Sequence, residues 1–216
     1  MEAQTPKPAR RSRRTQAERS AATQTELLRS CLHLFARRGF QSTSLDEIAS
    51  AVGLTKGAIY WHFRSKDALF DALLDYVRRQ WRATVLRPML QGRDPATRFQ
   101  LLFDGYRNLF EREPDECLFL QRVTLDADVH YARRVSAVYA QTARVVSAII
   151  DQGKREGIFR RDARSTVLAY VALASLTGAN AHAAANPHVK LATLIDEVKD
   201  ALLRQVRRSD DARKAG

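Results

Sequence analysis

From Thr55 to His62 the chain reads Thr-Lys-Gly-Ala-Ile-Tyr-Trp-His. A hydroxyl, an ammonium, a phenol, an indole and an imidazole crowd around two of the smallest side chains. Thr55 and Lys56 can donate hydrogen bonds to base edges or to phosphate, and Tyr60 and His62 to phosphate oxygens. Gly57 and Ala58 would let a backbone come close to bases. Large aromatics beside a lysine are unusual on a solvated face and suit a helix pressed into a major groove. Trp61 belongs to this face, with a core position as its alternative; Tyr60 as a packing residue is the blander reading of that side chain. His62 has no second ligand at a suitable spacing, so no metal site is expected there. Asp126, Asp128 and His130 read as an acidic helix start rather than a metal cluster.

Such a helix needs a scaffold, and the flanking punctuation supplies one. A helical stripe of Leu28, Cys31, Leu32 and Phe35 runs from about Ala17 to Arg38 and stops at Gly39. Ser44 and Glu47 have capping-box spacing and open a short helix over Leu45–Val52. Gly53 can take the positive φ of a tight turn, and Thr55 caps the helix Lys56–Phe63. Ile48, Val52, Leu54, Ile59 and Phe63 form its shared core, with Ala49 small at the crossing. Ser65 caps a fourth helix to about Leu86, stopped by Pro88. The helix N-termini after Ser44 and Ser65 offer N–H groups to phosphates, with Thr43 and Lys66 adding side-chain donors.

The remaining punctuation predicts helices opened at Asp94-Pro95 and at Pro114, then one from about Asp128 to Arg155. Another, capped by Asp162, runs from Ala163 to about Ala185, and a last covers about His188 to Arg207. No alternating strand pattern or hairpin signal appears. The expected fold is all-α, about nine helices: a three-helix helix-turn-helix head and a C-terminal helical body. The divisions are a flexible basic arm at 1–16, the DNA-binding head at 17–66, a ligand-binding and dimerisation domain at 67–209, and a tail at 210–216. In the arm, Arg10, Arg11, Arg13 and Arg14 could touch phosphates or a minor groove, or simply solubilise the chain.

The formal net charge is +12 over 216 residues. Residues 1–66 hold 12 Lys/Arg against 5 Asp/Glu, and the rest 24 against 19, so positive charge concentrates in the first third. That distribution favours a nucleic-acid partner and argues against an architectural protein with charge spread widely. No phosphate-cradling glycine loop, HExxH, nucleophile elbow or paired-cysteine zinc site is present, so no enzyme and no cofactor are expected. Cys31 and Cys117 are expected as buried free thiols. With no secretory pattern and the longest apolar run (Val167 to Leu176) too short for a bilayer, a cytoplasmic protein is expected.

The segments Ser42 to Ala49, Gly53 to Phe63 and Lys66 to Phe70, with Phe35 to Phe40 before them, resemble the TetR family of bacterial regulators, especially its AcrR-like branch. The matched core covers about Leu27 to Leu74; the body matches only loosely. The resemblance implies a repressor that dimerises through its two C-terminal helices and binds a palindromic operator on double-stranded DNA. It implies release when a small molecule enters the body, and a multidrug efflux operon as the target. It implies DNA contacts at Thr43, Thr55, Lys56, Tyr60, His62 and Lys66; Ser44, Gly57, Ala58 and Trp61 lie on the same edge. A regulator of a metabolic or catabolic operon, an activator, and more distantly a non-specific nucleoid protein are the alternatives.

In the body, Phe99, Phe103, Tyr106, Phe110, Phe119 and Tyr139 are either plain core or the lining of an apolar pocket for an aromatic or amphipathic effector. Small side chains between Ala163 and Ala185 let another helix approach closely. A two-fold interface is expected at Leu168, Val171, Ala172, Ser175 and Ala179, with Leu194, Val198 and Leu202 from the last helix. Close packing within one subunit is the other reading.

Overall fold

The computed structural model describes residues 16–40, 42–125, 129–186 and 188–207, with side chains described from residue 24 onward except at 125, 129 and 130. The arginines expected in the basic arm, and Asp126 and Asp128, lie outside these residues. Nine helices are described, with no strand beyond an isolated bridge between Phe159 and Arg207. They are α1 Gln16–Arg38, α2 Leu45–Ala51, α3 Lys56–His62, α4 over 66–90, α5 Pro95–Arg112, α6 Pro114–Leu125, α7 Val129–Arg155, α8 Ser165–Ala185 and α9 Leu191–Val206.

Two apolar clusters organise them. The first joins Leu28, Cys31, Leu32 and Phe35 of α1 to Ile48, Ile59 and Phe63 of the short helices and to Leu69, Phe70 and Leu73 of α4. It also takes in Phe119, Leu120 and Val123 of α6 and Val135 and Val138 of α7. The head's core therefore does not end at residue 66: Phe70 packs on Phe40 at 5.1 Å and on Phe119 at 5.7 Å between ring centroids. The second cluster fills the body, where Phe99 sits edge-to-face on Phe103 and Phe159. Polar clasps tie the parts together. Arg107 and Lys199 bracket Asp196 and Asp104 between α5 and α9. Arg29 of α1 bonds Glu113 at 3.1 Å and the Tyr76 hydroxyl at 3.0 Å, and His33 meets Asp115 at 2.9 Å.

Three boundaries depart from expectation. Pro88 does not stop α4. Residues Arg82–Leu86 form a π turn in which the Arg87 amide donates to the Arg82 carbonyl five residues back, and Pro88 then lies in a final α turn, Arg87–Leu90. Widening the ladder just before the proline relieves the clash its ring would make with the preceding turn. The widened turn lies against Gly105 of α5, where an added Cβ would stand 3.1 Å from the Val85 Cα. Asp162 does not cap α8; it pairs with Arg160 at 3.0 Å, and the helix begins at Ser165 after an Arg164 whose side chain makes no cap. The last helix begins at Leu191 rather than His188.

One helix, α8, is long and apolar enough to cross a membrane by length and composition, with a mean hydropathy of 1.2 over its best stretch. The sequence expectation counted only the uninterrupted apolar run. Here α8 packs on α7 and α9, with Leu168, Ala169, Ala172, Leu173 and Leu176 buried in the body core.

Candidate nucleic-acid interface and the body cavity

The short helices are fixed from both ends. Ser44 accepts from the Glu47 amide at 3.2 Å while Glu47 takes the Ser44 amide at 2.6 Å, closing the capping box expected from sequence. These bonds hold the Glu47 carboxyl below the usual carboxylate range. Gly53 takes φ 72°, and the Leu54 amide donates to the Ala49 carbonyl at 2.8 Å, with Ala49 buried at the crossing. Thr55 then caps α3, accepting from the Ala58 amide at 3.2 Å, and Ser65 caps α4 in the same way. Ile59 and Phe63 are buried and anchor α3 from beneath.

What this scaffold presents follows the sequence reading closely. Thr55, Lys56, Gly57, Tyr60 and Trp61 are exposed; Ala58 and His62 are half-buried. Trp61 is 77% exposed and Tyr60 47%, which removes the core alternative for both. A Cβ at Gly57 would meet nothing within 4 Å, so nothing in the protein itself demands glycine there. Lys56 is drawn toward α2 by Asp46, Nζ to Oδ2 2.5 Å, and this bond raises its pKa. Asp46 was not foreseen as its partner, although a residue in the first turn of one short helix readily reaches the first turn of the next.

Three residues of the expected set are placed differently. Thr43 is only 3% exposed, and its hydroxyl donates to the Gly39 carbonyl at 2.9 Å. Its proton is committed to closing the turn after α1, which corrects the expectation of a side-chain donor to phosphate. The Ser44 hydroxyl is engaged with Glu47, donating at 2.8 Å, so it acts as a cap. Lys66 is half-buried, its ammonium 4.6 Å from the centre of the Phe40 ring. Arg64, exposed in the turn between α3 and α4, extends the same positive edge; its single charge in a turn gave no signal in the sequence.

In the body, the six aromatic candidates divide. Phe99, Phe103 and Phe119 are fully buried against other rings, and Phe110 packs half-buried on the body core. Tyr106 and Tyr139 do line a cavity, with Trp81, Glu116, Cys117 and Leu176 among its walls. It measures about 30 Å³, room for a water or two. Burial pushes Tyr106 and Tyr139 above their ordinary phenol pKa, and the Cys117 thiol up to about 12. Cys31 is likewise a buried free thiol at about 12. No group of three metal-ligating side chains occurs among the described residues.

The expected dimer residues divide as well. Leu168, Ala172, Ala179 and Leu202 are buried within the subunit. Val171 is exposed, and Ser175, Leu194 and Val198 are half-buried. The last three line an open groove between α8 and α9 with Gly178 and His182. The outward stripe of α8 is instead Val167, Tyr170, Val171 and Ala174, one face round from the expected one.

Comparison with known proteins agrees with this geometry. Residues 27–73 match the family described as bacterial regulatory proteins, tetR family. The transcriptional regulator AcrR of Shigella flexneri is 47% identical over 62 residues, 29% of this chain and 28% of that protein. The transcriptional repressor NicS of Pseudomonas putida is 24% identical over 162 residues, 74% of this chain and 76% of that protein. The chain thus spans under a third of the AcrR length that it matches, and about three quarters of NicS. The solved structure of the MbdR regulator from Azoarcus sp. CIB superposes with a TM-score of 0.74 at 27% identity, covering 84% of this chain and 97% of that one. The head, residues 27–73, thus belongs to the tetR family of bacterial regulatory proteins, and the helical body that carries it has the architecture of the MbdR regulator.

Proposed function

We propose that this protein is a sequence-specific repressor that binds a palindromic operator as a homodimer, with α3 in the major groove, and releases it when a small ligand enters the body. The observation that carries the reading is the exposed Lys56–Tyr60–Trp61 face of α3. A 77%-exposed tryptophan on a seven-residue helix, with its opposite face locked by Ile59, is costly in water and useful against a surface. The open space beyond Gly57 supports it, since a glycine without an internal role fits a close approach from outside. Thr55, Lys56, Tyr60 and His62 supply donors; Arg64 and Lys66 lie at the edge.

A second copy is the natural cover for the outward stripe of α8. Val167 and Tyr170 are each 48% exposed, and four apolar side chains recur there at helical spacing. A two-fold contact through α8 and α9 would bury them and set two α3 helices about one DNA turn (~34 Å) apart. The clasps between α1 and the start of α6 offer a route from the body to the head. A ligand that favours one arrangement of these contacts changes the spacing of the two heads.

The AcrR-like head supports an efflux operon as target. The longer alignment with NicS, which runs into the body, supports a second reading: a repressor of another kind of operon. Selection of bound duplexes from a random pool tests the central reading. A single inverted-repeat sequence should emerge and resist competition by random DNA; recovery of no preferred sequence would overturn it. Footprinting the promoters of the protein's own gene and of its neighbour then separates the two targets.

A further inference from the structure

Lys56 is the only lysine or arginine on α3, and its ammonium is tethered. Nζ donates to Asp46 Oδ2 at 2.5 Å, joining the first turn of α3 to the first turn of α2. The lysine side chain stays 73% exposed, so the bond fixes the ammonium without burying it. Ser44 and Glu47 close the capping box of α2 without help from Asp46. An acid in a helix's first turn favours the helix dipole whichever way its carboxylate turns. Here the direction is set: Oδ1 is buried with no hydrogen-bond partner, and Oδ2 is left to the lysine. An exposed ion pair adds little to stability. What this one changes is the conduct of Lys56.

An untethered lysine is a point charge on a flexible four-carbon stem, and any phosphate within reach satisfies it. An ammonium carries three N–H donors. With one of them given to Asp46, two remain at a set place on the exposed face. We infer that Asp46 is a positioning residue that makes Lys56 a base reader. The tethered ammonium gives its remaining N–H groups to O6 and N7 of one guanine in the major groove. Guanine alone among the bases offers two adjacent acceptors on that edge. The open space beyond Gly57, the next residue, lets the base edge come close. The Asp46 carboxylate also offsets the charge that would draw Lys56 to phosphates of unmatched DNA. This assignment rests on the placement of α3 in the groove proposed above, and adds which base Lys56 selects and what aims it.

The test uses the inverted-repeat duplex selected by the wild-type protein, with each base pair of the half-site replaced in turn in both halves. Fluorescence anisotropy at one salt concentration gives the affinity of each duplex for wild type, Asp46→Asn, Asp46→Glu, Lys56→Ala and the double variant Asp46→Asn with Lys56→Ala. Wild type should show a guanine whose replacement by adenine weakens binding by about tenfold. Asp46→Asn should shrink that penalty to under about threefold and leave the penalties at other positions as they were. Asp46→Ser, a second neutral replacement suited to a helix's first turn, should do the same. Asp46→Glu keeps a carboxylate within the lysine's reach and should keep the penalty. Lys56→Ala should lose the same single preference, and adding Asp46→Asn to it should change nothing further there. Released to phosphates, Lys56 of the Asp46→Asn protein should make binding to a scrambled duplex more steeply salt-dependent, by up to about 0.9 in log–log slope for each head engaged. Circular dichroism and melting of each variant should match wild type.

An Asp46→Asn protein that keeps the guanine preference, or loses preference uniformly along the half-site, would overturn the assignment and leave the repressor reading standing. So would an effect of Asp46→Asn that persists at that guanine in the Lys56→Ala background. A wild-type protein with no base preference at any position would overturn the repressor reading and the assignment with it.

Discussion

Glu116→Gln should leave stability unchanged near pH 5 and raise it at about pH 8. The carboxyl's pKa moves from about 4.5 in the unfolded chain to about 8 in the folded one, because burial disfavours its charge. Between those values the folded protein keeps a proton that the unfolded chain has released. Stability therefore falls as pH rises through this window, the reverse of the usual behaviour of a paired carboxylate. At ~1.4 kcal/mol per pKa unit the full shift corresponds to on the order of 4 kcal/mol. For a chain of this length that is roughly 10 °C in melting temperature. The assay is a set of thermal melts of wild type and variant at closely spaced pH. Histidines and other titrating groups cancel in the difference between the two proteins. That difference should be near zero at pH 5, open steadily to about pH 8, and stay flat above. A gap of constant size across the range would refute the reasoning, because a pH-independent effect cannot come from the ionisation of a buried acid.

On the proposed two-fold contact through α8 and α9, Tyr170→Asp should yield a species sedimenting at 24.4 kDa with unchanged helicity, since the side chain is half exposed and outside the subunit's core. Phe70→Ala should cost about 3–5 kcal/mol, because the ring packs on Phe40, Phe119 and Tyr131 at the join of head and body; chemical denaturation measures it. Ser44→Ala should remove about 1 kcal/mol through loss of the α2 cap, read by the same denaturation curves. Operator affinity should fall by about 10³ or more between low and near-physiological salt if six or more phosphates are contacted, as titrations at several salt concentrations would show.

The head was legible in the sequence because its instructions are local. Ser44 with Glu47, Thr55 and Ser65 each accept from an amide three residues on, and Gly53 takes the positive φ of its turn. An exposed face could be read on α3 because a seven-residue helix with two buried anchors leaves few choices. The body was less legible for a physical reason. α8 is apolar on every side, so periodicity could not say which stripe faces its own core. Leu168 and Ala172 turned inward, while Val167 and Tyr170 turned outward. Aromatic content likewise does not distinguish a filled core from a lined cavity: Phe99 and Phe103 are the former, Tyr106 and Tyr139 the latter. Glu116 carried no signal in the sequence, because only the fold of distant segments encloses it. Pro88 marked a stop that a π turn circumvents, and Thr43 looked like a donor until its proton proved committed to Gly39.

The most direct measurement is the affinity of Lys56→Ala and Tyr60→Ala proteins for the selected operator duplex and for a scrambled duplex, by fluorescence anisotropy at one salt concentration. Each substitution touches an exposed side chain, so helicity and mass in solution should match wild type. Affinity for the operator should drop by about tenfold or more, consistent with 1–3 kcal/mol for a lost groove contact, and the preference over scrambled DNA should shrink. Operator affinity within a factor of about two of wild type in both variants, with the preference intact, would contradict the placement of α3 in the groove.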